Sequence, residues 1–278
     1  MAHLPHAAEG ITFSLEVFKL YYGLMQAAEV DSGHGQAPEQ KTRPEPGLGG
    51  KLLWAGELDS AGPAMVVAGN IAGAATLTAT ANVDAQKQAV RDGIVDFLVT
   101  SLDEALRILK NEVRKRQTVA VCVGAAPDLI AREMLERGVL PDLFREGVIA
   151  ASERPMARGE PAGDPEFHSM GMDALVVWRV DTAPALWLPK MDAIALGCLE
   201  SEDELARRWI HLGPRYLGRL AHGAHLLIGD HEFAATFVER VREQVRHGEI
   251  AFQGQIQVSR SDGNEEHNFP PRPLNEGD

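Results

Sequence analysis

The chain is 278 residues long and 45% apolar, enough for one large domain or two small ones with a sizeable core. Its 40 acidic and 27 basic side chains leave a formal net charge of −13. That balance argues against nucleic acid and anionic membrane surfaces as partners, because both need a cationic field. A small anion is still admissible, since a helix N-terminus binds one locally.

The two cysteines, Cys122 and Cys198, are too few for a disulfide framework. Cys122 lies in an apolar run and reads as a small buried hydrophobe. MAHLPHAAEG shows no basic region followed by an apolar stretch, so no signal peptide is expected. Residues 11–28 contain Glu16 and Lys19 and do not suit a membrane span. The expected location is cytoplasmic.

In chain order, residues 11–29 read as one helix. Residues 31–50 hold five glycines and three prolines and read as a long loop. KLLWAG is a short strand, Pro63 to Ile71 a helix with proline in its first turn, and ATLTAT a β-branched strand. Asp84 to Arg91 is helical and IVDFLVT is a strand. Ser101 and Glu104 form a capping box, and Leu102, Ala105, Leu106, Leu109 and Val113 follow the helical period behind it. TVAVCVG is a buried strand, Pro127 to Arg137 a helix closed by Gly138, and VLPDLF begins the next strand. After a proline-rich break at residues 153–169, DALVVWRV and DAIALGC read as further strands. Ser201 with Glu204 opens a helix that Gly213-Pro214 interrupts. Asp230 caps a helix with the face Phe233, Phe237, Val241 and Val245. IAFQGQIQV alternates as a final strand, antiparallel or at an edge.

Short apolar strands alternating with helices imply right-handed crossovers and a parallel sheet covered on both faces. The expected architecture is therefore α/β, a three-layer Rossmann-like parallel sheet over residues 49–200. Residues 1–48 form a helical arm and linker. Residues 201–258 form a mostly helical extension packed on the same domain, and residues 259–278 a polar tail. The arm and tail suggest a homodimer in which they wrap a second subunit.

In such a sheet, ligands bind where loops leave the carboxyl ends of the strands. The first loop, Ala55 to Pro63, has only Gly56 and Gly62 where a dinucleotide fingerprint needs three glycines. Glu57 and Asp59 place negative charge where a pyrophosphate would sit. Around this loop, GGKLLWAGELDSAGPAMVVAGNIAG and TSLDEALRILKNEVRKRQTVAVCVGAAPDLIAREMLERGVLPD resemble the central NAD-binding domain of urocanase, over about residues 49–143. The runs Leu102-Asp103-Glu104-Ala105-Leu106 and Arg137-Gly138-Val139-Leu140-Pro141-Asp142 carry most of the likeness.

The resemblance implies a Rossmann-like fold and NAD as the cofactor. The positions that would hold it are Gly56, Ser60, Gly62, Gly124 and Asp84, the nearest carboxylate after the second strand. The chain also departs from the family. The loop A-G-L-G-G-M-G-G-A-Q becomes A-G-E-L-D-S-A-G-P-A, and G-N-A-A-E becomes Gly124-Ala125-Ala126-Pro127-Asp128. The loop T-D-Q-T-S-A-H-D-P has no counterpart. Urocanase activity is therefore not expected.

Elsewhere, His222-x-x-His225 has a spacing that puts two imidazoles on one helical face, and Asp230 or His231 would complete a metal tripod. Histidines at a helix end explain the same letters. There is no nucleophile elbow, Walker loop or paired CxxC. Two function classes stay open. One is a urocanase-like protein that binds NAD, another nucleotide or a small metabolite, without urocanase activity. The other is a non-catalytic assembly or regulatory protein retaining the fold. A distant third is a metal-dependent enzyme using His222, His225 and His231.

Overall fold

The computed structural model describes residues 4–32, 47–59, 61–152 and 174–270. The chain divides into two compact units, one of residues 16–153 and one of residues 1–15 with 154–278. Helix α1, Leu4–Ser32, contributes to both. Among the described residues, no helix is long and apolar enough to cross a membrane.

The first unit alternates strands and helices: β1 Leu52–Glu57, α2 Gly62–Ala72, β2 Ala75–Ala79, α3 Val83–Arg91, β3 Phe97–Val99, α4 Leu102–Lys115, β4 Val119–Val123, α5 Pro127–Glu136, β5 Leu143–Phe144 and α6 Arg145–Ser152. The five strands are all parallel, in the order β3-β4-β2-β1-β5. Right-handed crossovers on this order put α2 and α3 on one face and α4 and α5 on the other. The unit is a Rossmann-like α/β layer, as the alternation implies. Every residue of β2 and β4 is buried, which is why both read as unbroken apolar or β-branched runs. Helix α2 buries every residue but Pro63, and its sequence is correspondingly apolar all round. Helix α4 starts on Ser101, whose hydroxyl accepts the Glu104 N–H, while Glu104 reaches back to the Thr100 N–H. Its Leu102, Ala105, Leu106 and Leu109 join Trp54, Leu77, Val121 and Ile130 in the core.

The second unit contains β6 Ala174–Val180, α7 Pro184–Cys198, α8 Glu204–Leu217, β7 Ala224–Gly229, α9 His231–His247, β8 Gly254–Arg260 and β9 Gly263–Phe269. Its sheet is antiparallel, in the order β7-β6-β8-β9. Gly254, Ile256 and Val258 on β8 are buried while Gln255 and Gln257 between them are partly exposed, the period-2 alternation of a strand with one covered face.

Several expectations are corrected here. The strand at 174–180 does not extend the parallel sheet to residue 200 but forms a separate antiparallel one. DAIALGC lies inside α7, because an apolar run buried in a helix carries the same letters as a strand. Asp203, not Ser201, caps α8 by accepting the Ala206 N–H. Pro214 sits inside α8 without ending it. The expected tail is a strand, β9, through Phe269. The expected arm is not free, since Val17, Phe18, Tyr21, Tyr22 and Leu24 are buried within the chain.

Candidate functional site

At the carboxyl end of β1 the register against β2 slips between Trp54 and Gly56. Gly56 takes φ 74°, a left-handed conformation that suits glycine. Its carbonyl accepts the Thr78 hydroxyl at 2.7 Å. The chain then turns so tightly that a Cβ on Gly62 would lie 2.2 Å from the Glu57 carbonyl oxygen. Position 62 therefore has to be glycine for a steric reason that holds without any ligand.

The residue before α2, Ala61, offers no capping side chain. Asp59 supplies the cap instead. Its Oδ1 accepts the backbone N–H of Ala61 at 3.1 Å and of Gly62 at 2.9 Å. These are N–H groups that a bound phosphate would take at the start of this helix. Pro63 has none to offer.

Arg145, the first residue of α6 after β5, closes the turn. Its guanidinium lies 3.1 Å from Asp59 Oδ1 and donates to the Glu57 carbonyl at 3.4 Å. The same side chain passes over Gly56, with Cδ 3.7 Å and Nη1 3.8 Å from where a Cβ would stand. Burial raises the Asp59 pKa, but the Arg145 hydrogen bond and charge and the two backbone N–H groups outweigh it. The carboxyl ends below its ordinary value. Glu16 of α1 stands in the same charge group. Burial holds its pKa above the ordinary value, Arg145 offsets part of this, and Asp59 adds to it.

The sequence-expected site residues separate accordingly. Gly56 and Gly62 flank one turn. Ser60 lies outside the described residues. Gly124 ends β4, and β2 stands between β4 and β1. The turns at Gly56–Gly62 and Gly124–Asp128 therefore do not face each other across neighbouring strands. A Cβ on Gly124 would meet Gln86 Nε2 at 3.4 Å, and that amide donates to the Thr80 carbonyl at 2.8 Å. Asp84 is exposed in the first turn of α3, where the Asn82 side chain accepts its N–H at 3.0 Å. Arg145 is the residue that sequence reasoning missed. It is 86 positions from Asp59, and only the register of β5 beside β1 brings it there.

In the second unit, the helical spacing expected for His222 and His225 does not occur. His222 is a left-handed turn residue with φ 48°, and His225 lies on β7. His225 Nδ1 bonds Asp192 at 2.8 Å, and Trp178 Nε1 donates to the same oxygen at 3.0 Å. His231 Nδ1 accepts from Arg260 at 2.8 Å, which occupies a lone pair a metal would need. Among the described residues, no three His, Cys, Asp or Glu side chains gather as a metal site.

Cys122 is buried, as expected, and burial pushes its thiol up to about 11.

The family comparison agrees with where the parallel sheet lies. A model described as the urocanase Rossmann-like domain matches residues 36–150, so this segment, from before β1 into α6, is similar to that domain of urocanases.

Proposed function

We propose that the parallel-sheet unit is a urocanase-like Rossmann module whose dinucleotide site is closed by its own side chains. On this reading the protein serves a non-catalytic assembly or regulatory role. One observation carries it: Asp59 occupies the α2 N–H groups that a pyrophosphate would need, and Arg145 pins it there. A pyrophosphate entering this turn would have to displace an ion-paired carboxylate and approach Glu57 and Glu16 as well. Coulomb repulsion opposes that.

The test is calorimetric titration of the full chain with NAD, NADH and ATP, alongside an assay for loss of urocanate absorbance. No heat at millimolar ligand and no change in absorbance are expected. Binding of any of the three, or urocanate turnover, overturns the reading.

A second reading keeps NAD, another nucleotide or a small metabolite as ligand. It is favoured by the same donors: Arg145 and the N–H groups of Ala61 and Gly62 already hold one anion, and a ligand anion could take its place. Asp59→Gly separates the two. Binding by the variant with none by the wild type supports closure. Binding by both supports a displaceable carboxylate.

A further inference from the structure

Among the described residues, strand β3 is an edge of the parallel sheet, paired only with β4. Its sequence, Phe-Leu-Val, is that of an interior strand. Exposed edges ordinarily carry a lysine, a proline or a bulge that discourages pairing, and Phe97–Val99 has none of these. Phe97 is 47% exposed and Leu98 43%. Alternation sends these side chains to opposite faces, so the strand is apolar on both sides. Phe97 forms one wall of an open groove of about 780 Å³ with Arg107, Ile108 and Asn111 of α4. Helix α3 follows the same edge on the other face, and its Val83 and Val90 are 55% and 48% exposed.

We propose that β3 pairs antiparallel with β3 of a second copy, joining the two parallel sheets into one ten-stranded sheet. The twofold axis of an antiparallel strand pair is perpendicular to the sheet, so α3 meets its own copy antiparallel on one face. The charges of α3 suit that arrangement. Asp84 lies in its first turn and Arg91 in its last, seven residues apart on one helix face, so an antiparallel copy brings each opposite the other's counterpart across the axis. Lys87, near the axis, is exposed and its long stem lets the ammonium reach water. The chain carries −13 overall, yet Asp84, Asp92, Asp96 and Glu112 here are matched by Lys87, Arg91, Arg107 and Lys115. A locally balanced apolar edge on an acidic protein is where a second copy meets least repulsion. The proposal is independent of whether the Asp59 turn is closed to ligands.

Analytical ultracentrifugation of the full chain is expected to give twice the 30.2 kDa of one chain. Leu98→Lys is expected to give a folded monomer, with an unchanged far-ultraviolet circular dichroism spectrum and a melting temperature that no longer depends on protein concentration. Asp84→Arg is expected to raise the dissociation constant about tenfold by setting two arginines together, and Arg91→Asp in the same chain to restore it. A monomeric wild type overturns the proposal. So does a dimer that persists in Leu98→Lys, or a double variant that stays as weak as Asp84→Arg.

Discussion

Arg145 reaches from the first turn of α6 to the Asp59 carboxylate, 3.1 Å away, and so holds the cap of α2 from the far side of β1. The cap and the ion pair contribute unequally. Asp59→Ala removes the acceptor for two N–H groups at a partly exposed helix start and is expected to cost about 1 kcal/mol, the usual loss for a capping residue. Arg145→Met leaves the cap in place. It is expected to cost about 0.5 kcal/mol, because the carboxylate is partly exposed and the pair is screened. Urea denaturation at neutral pH orders the two. A larger loss in Arg145→Met would show that the guanidinium, not the cap, organises the turn.

Glu16 gives this group a pH dependence of the opposite sign to that of Asp59. The Asp59 pKa is lowered on folding, so its stabilisation is present above the unfolded value of 3.8 and is lost as pH falls through the folded value. The Glu16 pKa is raised by burial, so its charge costs stability. That cost appears as pH rises from the unfolded value of 4.5 through the folded one. Glu16→Gln is therefore expected to be more stable than the wild type at neutral pH and to match it below the ordinary glutamate range. Denaturation series across the acid range measure the gap. A gap that widens toward low pH contradicts this sign.

How far this was legible in the sequence depends on the range of each interaction. Ser101 and Asp230 read correctly as caps because capping is settled within three residues, and both accept the expected N–H. The runs at β2 and β4 read correctly because two-sided burial leaves no polar position. The sheet order did not follow, since β4 inserts between β2 and β3 and no local signal states that. DALVVWRV reads as a strand in either kind of sheet, and only its pairing with Leu226 and Gln257 makes it antiparallel. The acidity of the turn at Asp59 was visible, but the role of the carboxylate was not. That role depends on a backbone fold at Gly62 and on Arg145 from the start of α6, 86 positions away.

Gly62 tests whether the turn is fixed sterically. Gly62→Ala puts a Cβ 2.2 Å from the Glu57 carbonyl oxygen, a backbone atom that cannot rotate away. The expected cost is about 3 kcal/mol, the upper range for overpacking. Gly138 is the control. It has φ 66° with nothing within 4 Å of a built Cβ, so Gly138→Ala carries only left-handed strain of about 1 kcal/mol. Thermal or urea unfolding of both variants gives the comparison. Equal losses would show that the Gly62 turn yields to accommodate a methyl.

Asp192 is a different kind of buried carboxylate, because it serves two ring nitrogens of its own unit. Only 8% exposed, it takes the indole N–H of Trp178 and faces Nδ1 of His225. Trp178 in turn packs on Phe237 of α9, with ring centroids 5.1 Å apart. Asp192→Ala strands the indole and the imidazole together in an apolar layer. At about 1–3 kcal/mol for each polar group left unpaired, the expected loss is about 3 kcal/mol. Asp192→Asn keeps an acceptor for Trp178 and presents an amide N–H to His225, whose other tautomer can accept it. Its expected loss is about 1 kcal/mol. His225→Phe removes one polar partner and leaves the carboxylate with one donor, so it falls between the two. Unfolding followed by circular dichroism at neutral pH ranks the three variants. If Asp192→Ala proves as stable as Asp192→Asn, the paired donors are satisfied by water and Asp192 does not organise this layer.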